Sequence, residues 1–149
     1  MSGGFLLDTN TVSELQRKQP SQAVLDWFAA ADDHRLHFSV LSIGEIRKGI
    51  EKLEQGKKRA ALGDWLEQRL LPWFGPHVLP VDLAVAERWG RLCVEAGRPL
   101  PTIDSLLAAT ALVHGLTLVT RNLADFELPG VCLVNPWDQA IDSESTTPP

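Results

Sequence analysis

The sequence predicts an α/β domain in three layers, a central parallel β-sheet of about five strands flanked by helices. Three observations predict it. Short apolar runs alternate along the chain with stretches of helical periodicity. The 149 residues suffice for one domain with a core of its own. Hydrophobic residues at 44% and charged residues at 22% are ordinary globular composition. A single domain is expected over residues 1–141, and the polar, proline-ended segment 142–149 is expected to be a disordered tail.

The strand candidates in chain order are Phe5 to Leu7, Leu36 to Val40, Val78 to Val81, Leu116 to Thr120 and Val131 to Val134. Helical patterns fill the gaps. Pro20-Ser21 opens a helix that runs to about Ala31. Ile43, Ile46, Ile50 and Leu53 then recur at three- and four-residue spacing, as do Leu62, Leu66, Leu70 and Trp73, and again Val85, Trp89, Leu92 and Ala96. Gly63 and the Leu71-Pro72 step interrupt the second of these stripes. Pro101 begins a last helix, which carries Asp104 and closes at His114-Gly115.

No apolar run approaches the length of a membrane span, and Phe5-Leu6-Leu7 is too short for a signal peptide, so a cytoplasmic location is expected. Cys93 and Cys132 read as small buried hydrophobes, neither bridge nor ligand. A net charge of -5 weighs mildly against a nucleic-acid partner. Arg47, Lys48, Lys52, Lys57, Lys58 and Arg59 nevertheless face only Glu51 and Glu54 in their stretch, and by themselves read as a solvated helical face.

Four acids carry the chemistry. Asp8 ends the first apolar run, Glu45 lies in Ser42-Ile43-Gly44-Glu45-Ile46, Asp104 in Thr102-Ile103-Asp104-Ser105, and Asp125 follows Val119-Thr120-Arg121-Asn122. In an open parallel sheet, ligands bind beyond the carboxyl ends of the strands. Asp8 lies at such an end, Asn122 and Asp125 follow another, and Glu45 and Asp104 are expected near the starts of their helices, so all four can converge. Converging carboxylates repel and raise one another's pKa unless a cation neutralises them. Mg2+ or Mn2+, which take oxygen ligands and activate water for attack on phosphate esters, would resolve that conflict. Each acid also has a plainer reading: Asp8 as the N-cap of the segment from Thr11 to Gln16, Glu45 as an exposed first-turn acid, Asp125 as a turn former. Thr9, Asn10, Ser42 and Thr120 are candidates to orient the acids or to act as local caps. His34, His37, His77 and His114 lack metal-ligand spacing, the Trp residues match apolar stripes, and Gly3-Gly4 precedes a strand, so it is no phosphate loop.

Over nearly the whole chain, to about Trp137, the sequence resembles a PIN-domain endoribonuclease, specifically the VapC toxins and their FitB-like branch. The carriers are the run Leu7 to Leu15, the run Ser39 to Ile50, Ile103 to Ala111, Leu118 to Asn122 with Asp125-Phe126, and Val134 to Trp137. The resemblance implies a PIN fold and a Mg2+- or Mn2+-dependent ribonuclease, the toxin of a type II toxin-antitoxin system. It implies an acidic site on Asp8, Glu45, Asp104 and the loop from Thr120 to Asp125, in which the fourth acid falls on Asn122 or Asp125. Asp8 and Asp104 would be the direct metal ligands, Glu45 would bind metal or position water, and Asp125 would complete the site beside Thr120. It further implies a homodimer, held inactive by a VapB- or FitA-like antitoxin with a DNA-binding domain. The Arg47 to Arg59 stretch would then hold RNA or an acidic antitoxin segment. Two other readings compete. One is a catalytically inactive PIN-like binding module. The other is a phosphatase with Asp8 as nucleophile, which would ordinarily want an acid where Asn10 stands.

Overall fold

The computed structural model describes residues 3–138. The expected tail and the expected domain end at 141 lie outside the described residues. The described strands are β1 (Phe5–Leu7), β2 (Leu36–Ser39), β3 (Val78–Leu79), β4 (Thr117–Val119) and β5 (Leu133–Val134), and they form one sheet of order β3-β2-β1-β4-β5. Every pairing is parallel, with Phe5 opposite both Leu36 and Thr117, Phe38 opposite Val78 and Val119 opposite Val134. Each strand lies inside its expected range and is shorter than it where a cap or a proline intervenes. The Ser39 hydroxyl accepts from the Leu41 amide at 3.0 Å and starts a helix at Val40, and Pro80, with no N–H to give, follows β3.

The helices are α1 (Thr9–Ser13), α2 (Gln22–Ala30), α3 (Val40–Glu51), α4 (Lys57–Trp65), α5 (Leu71–Phe74), α6 (Leu83–Glu95) and α7 (Thr102–His114). The alternation of strand side chains assigns the layers. Leu7, Phe38 and Val119 join Val12, Trp27, Ile46, Ile50, Leu66, Leu70 and Phe74 in the core under α1 to α5. Leu6 and Leu118 point the other way, against Leu92 of α6 and Leu107, Ala108 and Ala111 of α7. Gly115 closes α7 with a left-handed φ of 64°, and a Cβ at Gly4 would collide with the Arg35 carbonyl where the chain enters the sheet.

Two expectations are corrected. Between α4 and α5 the helix makes one wide turn, Leu66–Leu70, in which the Leu71 N–H reaches back five residues to the Leu66 carbonyl. The extra residue rotates the stripe by one position just before Pro72. Phe74 at 4% exposure therefore takes the core place expected of Trp73, which is 41% exposed. The cysteines are not both buried: Cys93 is partly exposed beside core-facing Leu92, and Cys132 is exposed just ahead of β5.

Candidate metal-binding active site

The chain leaves β1 toward β2 and β3 and returns on the other side as β4, so strand order reverses between β1 and β4. A crevice opens at such a reversal, beyond the carboxyl ends of the strands. Asp8 and Thr120 are the first residues past those two ends. The Asp8 N–H donates to the Val119 carbonyl at 2.8 Å and the Thr120 N–H to the Val134 carbonyl at 3.0 Å, which fixes both backbones to the sheet.

Asp8, only 8% exposed, is bonded through both carboxylate oxygens. Oδ1 accepts from the Thr9 N–H at 2.7 Å and Oδ2 from Thr120 Oγ1 at 2.8 Å. It does cap a helix, as its plainer reading has it, although that helix is Thr9–Ser13 and begins two residues earlier than expected. Capping and site membership coexist, because one carboxylate has lone pairs for both. Burial raises the Asp8 pKa, the bonds from Thr120 and Thr9 pull it down, and the charges of Glu45 and Asp125 raise it again.

Glu45 lies in the second turn of α3, away from the helix start, because the Ser39 cap begins that helix at Val40. The extra turn carries its carboxylate to α1, where Thr9 Oγ1 donates to Oε1 at 2.5 Å. Thr9 thus bridges Asp8 through its amide and Glu45 through its hydroxyl. Asp104 is in the first turn of α7, as expected. It has no hydrogen-bond partner among the described residues, and burial first, then the charges of Asp8, Asp125 and Glu45, push its pKa up to about 6. Asp125 sits in the single turn Leu123–Phe126, pinned by the buried Phe126, and its N–H donates to the Asn122 carbonyl at 3.1 Å.

Of the two alternatives for the fourth acid, Asp125 is the one whose charge reaches both Asp8 and Asp104. Asn122 contributes its backbone, donating to Thr120 Oγ1 at 3.0 Å and so aiming the hydroxyl hydrogen at Asp8. Asn10 is engaged locally, its Oδ1 accepting from Thr11 Oγ1 at 3.2 Å, and is not bonded to any of the four acids. Among the described residues, no three carboxylate, imidazole or thiol groups stand close enough together to hold an ion unaided. A hard cation that keeps part of its water shell suits such a set, and mutual repulsion of acids in a partly buried place is the condition a cation relieves.

The basic stretch divides in two. Arg47 pairs with Glu67 at 2.6 Å and Glu51 at 3.7 Å, and Arg59 with Glu51 at 2.6 Å, on the side of α3 turned from Glu45. Lys58 instead lines a groove of about 830 Å³ with Thr9, Arg17, Glu45, Ile46 and Trp65. Lys48, Lys52 and Lys57 form no ion pair among the described residues.

The part that four residues play around the site is not read from the sequence. Arg17 and Lys18 join the groove from the turn after α1. Glu14 is 5% exposed and accepts from the Ser21 N–H at 2.8 Å, tying the ends of that turn together. Trp89 Nε1 donates to Ser105 Oγ at 2.9 Å and so holds the start of α7, next to Asp104. An acid six residues past Asp8 inside an apolar pattern was a legible sign for Glu14, whereas the Trp89 contact joins two helices and leaves no local pattern.

A parallel five-stranded sheet with four acids gathered at its strand-order reversal defines a class, and the PIN-domain family model matches residues 5–127. The chain belongs to the PIN-domain family. Within it, the chain is 36% identical over 139 residues to the VapC ribonuclease Y4jK of Sinorhizobium fredii, covering 91% of this chain and 99% of that one. It is 36% identical over 136 residues to the toxin FitB of Neisseria gonorrhoeae, covering 89% and 98%. The structure of FitAB bound to the IR36 DNA fragment superposes with a TM-score of 0.85 at 34% identity, covering 89% of this chain and 95% of that one. The protein is a toxin of the VapC and FitB kind, from the PIN-domain ribonucleases of type II toxin-antitoxin systems.

Proposed function

We propose that this toxin hydrolyses RNA phosphodiester bonds with Mg2+ or Mn2+ held by Asp8 and Asp104, with Glu45 and Asp125 completing the negative site. The observation that carries the reading is the unrelieved repulsion at Asp104, whose pKa is raised to about 6 by burial and by the other three acids. A divalent cation, when bound, would neutralise the acids, polarise the phosphate and lower the pKa of water. The chain's own residues do the rest. Thr120 and the Thr9 amide fix both oxygens of Asp8, so that their free lone pairs have set directions. Glu45, held by Thr9, would orient the attacking water and take its proton. With both oxygens of Asp8 engaged and Asn10 tied to Thr11, an aspartyl-phosphate route is disfavoured, and a purely binding module has no use for acids that oppose one another's charge.

The partner reading has support in the groove beside Glu45. Its floor of Ile46, Ile50, Leu62 and Trp65, with Arg17 and Lys58 at its margin, suits an amphipathic acidic segment of a FitA-like antitoxin. A homodimer of the toxin is supported by α6, where Leu83 is 78% and Val94 81% exposed. A twofold axis crossing this helix between Arg88 and Trp89 would set Leu83 on Val94 of the second copy and bring Glu87 and Arg91 near their opposites. Val94→Asp should then give a monomer by light scattering. No described helix is long and apolar enough to cross a membrane, which accords with a cytoplasmic toxin.

The test is cleavage of total cellular RNA by antitoxin-free protein with Mg2+, Mn2+ or EDTA. Cleavage in either metal, abolished by EDTA and by Asp104→Asn, is expected. Folded protein that binds metal and cuts no RNA would overturn the reading.

A further inference from the structure

Arg121 occupies the loop between Thr120, which is bonded to Asp8, and Asn122. It is exposed and adjoins an acidic site, yet no carboxylate pairs with it among the described residues. Its guanidinium instead lies over the indole of Trp137, 5.2 Å from the ring centroid, while its carbonyl is within 3.5 Å of Asn135 Nδ2. Asn135 Oδ1 in turn accepts from the Trp137 N–H at 2.9 Å, which fixes the turn carrying the indole. A guanidinium placed over an aromatic ring is steadied on one side and keeps N–H groups open to solvent, and a guanidinium can bind a phosphate through two parallel hydrogen bonds.

Topology places this cation. The acids lie beyond β1, β2 and β4, and the groove that contains Lys58 opens on the α3 side, next to Glu45. Arg121 and Trp137 lie on the opposite flank, past the ends of β4 and β5. A polyanion that approaches four carboxylates needs positive charge beside the reacting phosphate as well as at it. We propose that Arg121, seated on Trp137, binds the RNA phosphate next to the scissile one on the β4–β5 side and so positions the substrate. The proposal rests on the RNA reading above and gives that substrate a contact which neither metal nor antitoxin requires.

The experiment measures binding of a fluorescently labelled single-stranded RNA by anisotropy in EDTA, over a range of salt, for wild type, Arg121→Ala and Arg121→Lys. Withholding metal separates this contact from cleavage: a wild type that binds RNA in EDTA yet cuts none with Mg2+ or Mn2+ would sink the function reading and leave the Arg121 phosphate contact standing. Arg121→Ala should weaken binding about tenfold and reduce the slope of log K against log salt by about one, with Arg121→Lys between. Melting temperature should shift only slightly, since an exposed side chain loses one cation–π contact, and metal titration and antitoxin affinity should not change. In cleavage assays the loss should fall on KM with kcat held within about threefold. Unchanged RNA affinity and salt slope in Arg121→Ala, including the case in which wild type binds no RNA, would overturn the proposal. So would a loss of antitoxin affinity with RNA affinity intact, which would make Arg121 a protein contact.

Discussion

The two halves of the acidic site are built on opposite plans. On the β1 side, Asp8 and Glu45 are held by hydrogen bonds from Thr9 and Thr120, and the site is fixed through side chains. On the α7 side, Asp104 has no such bond, and only its helix and the fit of Trp89 against Ser105 place it. The bonded half offers a cation preset directions, and the bare half offers charge that is unstable without one. Pre-organisation and stored repulsion would be separate contributions to the proposed metal affinity, and separate substitutions can read them.

The largest contrast comes from paired amide variants. On the proposed metal reading, Asp8→Asn and Asp104→Asn should each lower RNA cleavage on the order of 10³-fold, because each would remove a charged ligand worth several kcal/mol. Their metal-free stabilities should move apart. Asp8→Asn puts an amide NH2 where Thr9 or Thr120 donates, which should cost about 1 kcal/mol. Asp104→Asn removes a repelled charge and should raise the melting temperature above neutral pH. Equal shifts in the two variants, read by calorimetry in EDTA, would erase the distinction between the halves.

Thr120→Val comes next. It keeps the buried shape and deletes the hydroxyl, leaving Asp8 Oδ2 without its donor, and support of this kind around a metal ligand is worth about 10- to 100-fold in activity. Losing a bond that lowers the Asp8 pKa should also move the acidic limb of the pH-rate profile to higher pH. Thr120→Ser should restore most of both effects. A rate loss without a pH displacement would mean that Thr120 acts only through packing.

Most of the bonded half was legible in the sequence, and less of the bare half. Asp8 and Thr120 stand at the ends of apolar runs, and a parallel sheet brings such ends together whatever the loops do. Asp104 is legible as an acid before an apolar helix, but its raised pKa comes from tertiary burial first and then from three acids remote in sequence. Glu45 lies a turn farther from its helix start than the sequence predicts, because reading Val40 as strand hides the Ser39 cap. Periodicity predicts a core place for Trp73 because it assumes a uniform helix, and the wide turn before Pro72 breaks that uniformity. The pairing of Arg59 with Glu51 and of Arg47 with Glu67 follows from how α3 meets α4 and the wide turn after it, which no single segment encodes.

Stability against pH tests the burial and the repulsion that together act on Asp104. The folded pKa of Asp104, about 6, exceeds its ordinary value of 3.8, so the folded state holds this proton more tightly than the unfolded chain does. The associated stability is present below about pH 4 and is lost as pH rises through 6. With solvent screening allowed for, the loss in EDTA should be on the order of 1 kcal/mol. Mg2+ or Mn2+ should restore it near neutral pH and do little at pH 4.5, where Asp104 is protonated. Asp104→Asn should flatten the profile, whereas Thr120→Val should not.

The smallest effect concerns how the bare half is held. Trp89→Phe and Ser105→Ala each delete the 2.9 Å bond between α6 and the first turn of α7, and each should cost about 1 kcal/mol with activity reduced only a few-fold. Because they remove the same bond, the double variant should be little worse than either single one, a coupling that a denaturant double-mutant cycle resolves. The Ser105 hydroxyl also donates to the Thr102 carbonyl at 2.9 Å, so Ser105→Ala disturbs the α7 start a little more than Trp89→Phe does. If Asp104 is positioned by its helix alone, the few-fold loss should appear mainly as weaker metal binding and recover at high Mg2+, since α7 still brings the carboxylate to the same edge. Loss that persists at saturating metal would mean that the indole fixes the angle of Asp104 itself, and the two halves would then be built on one plan.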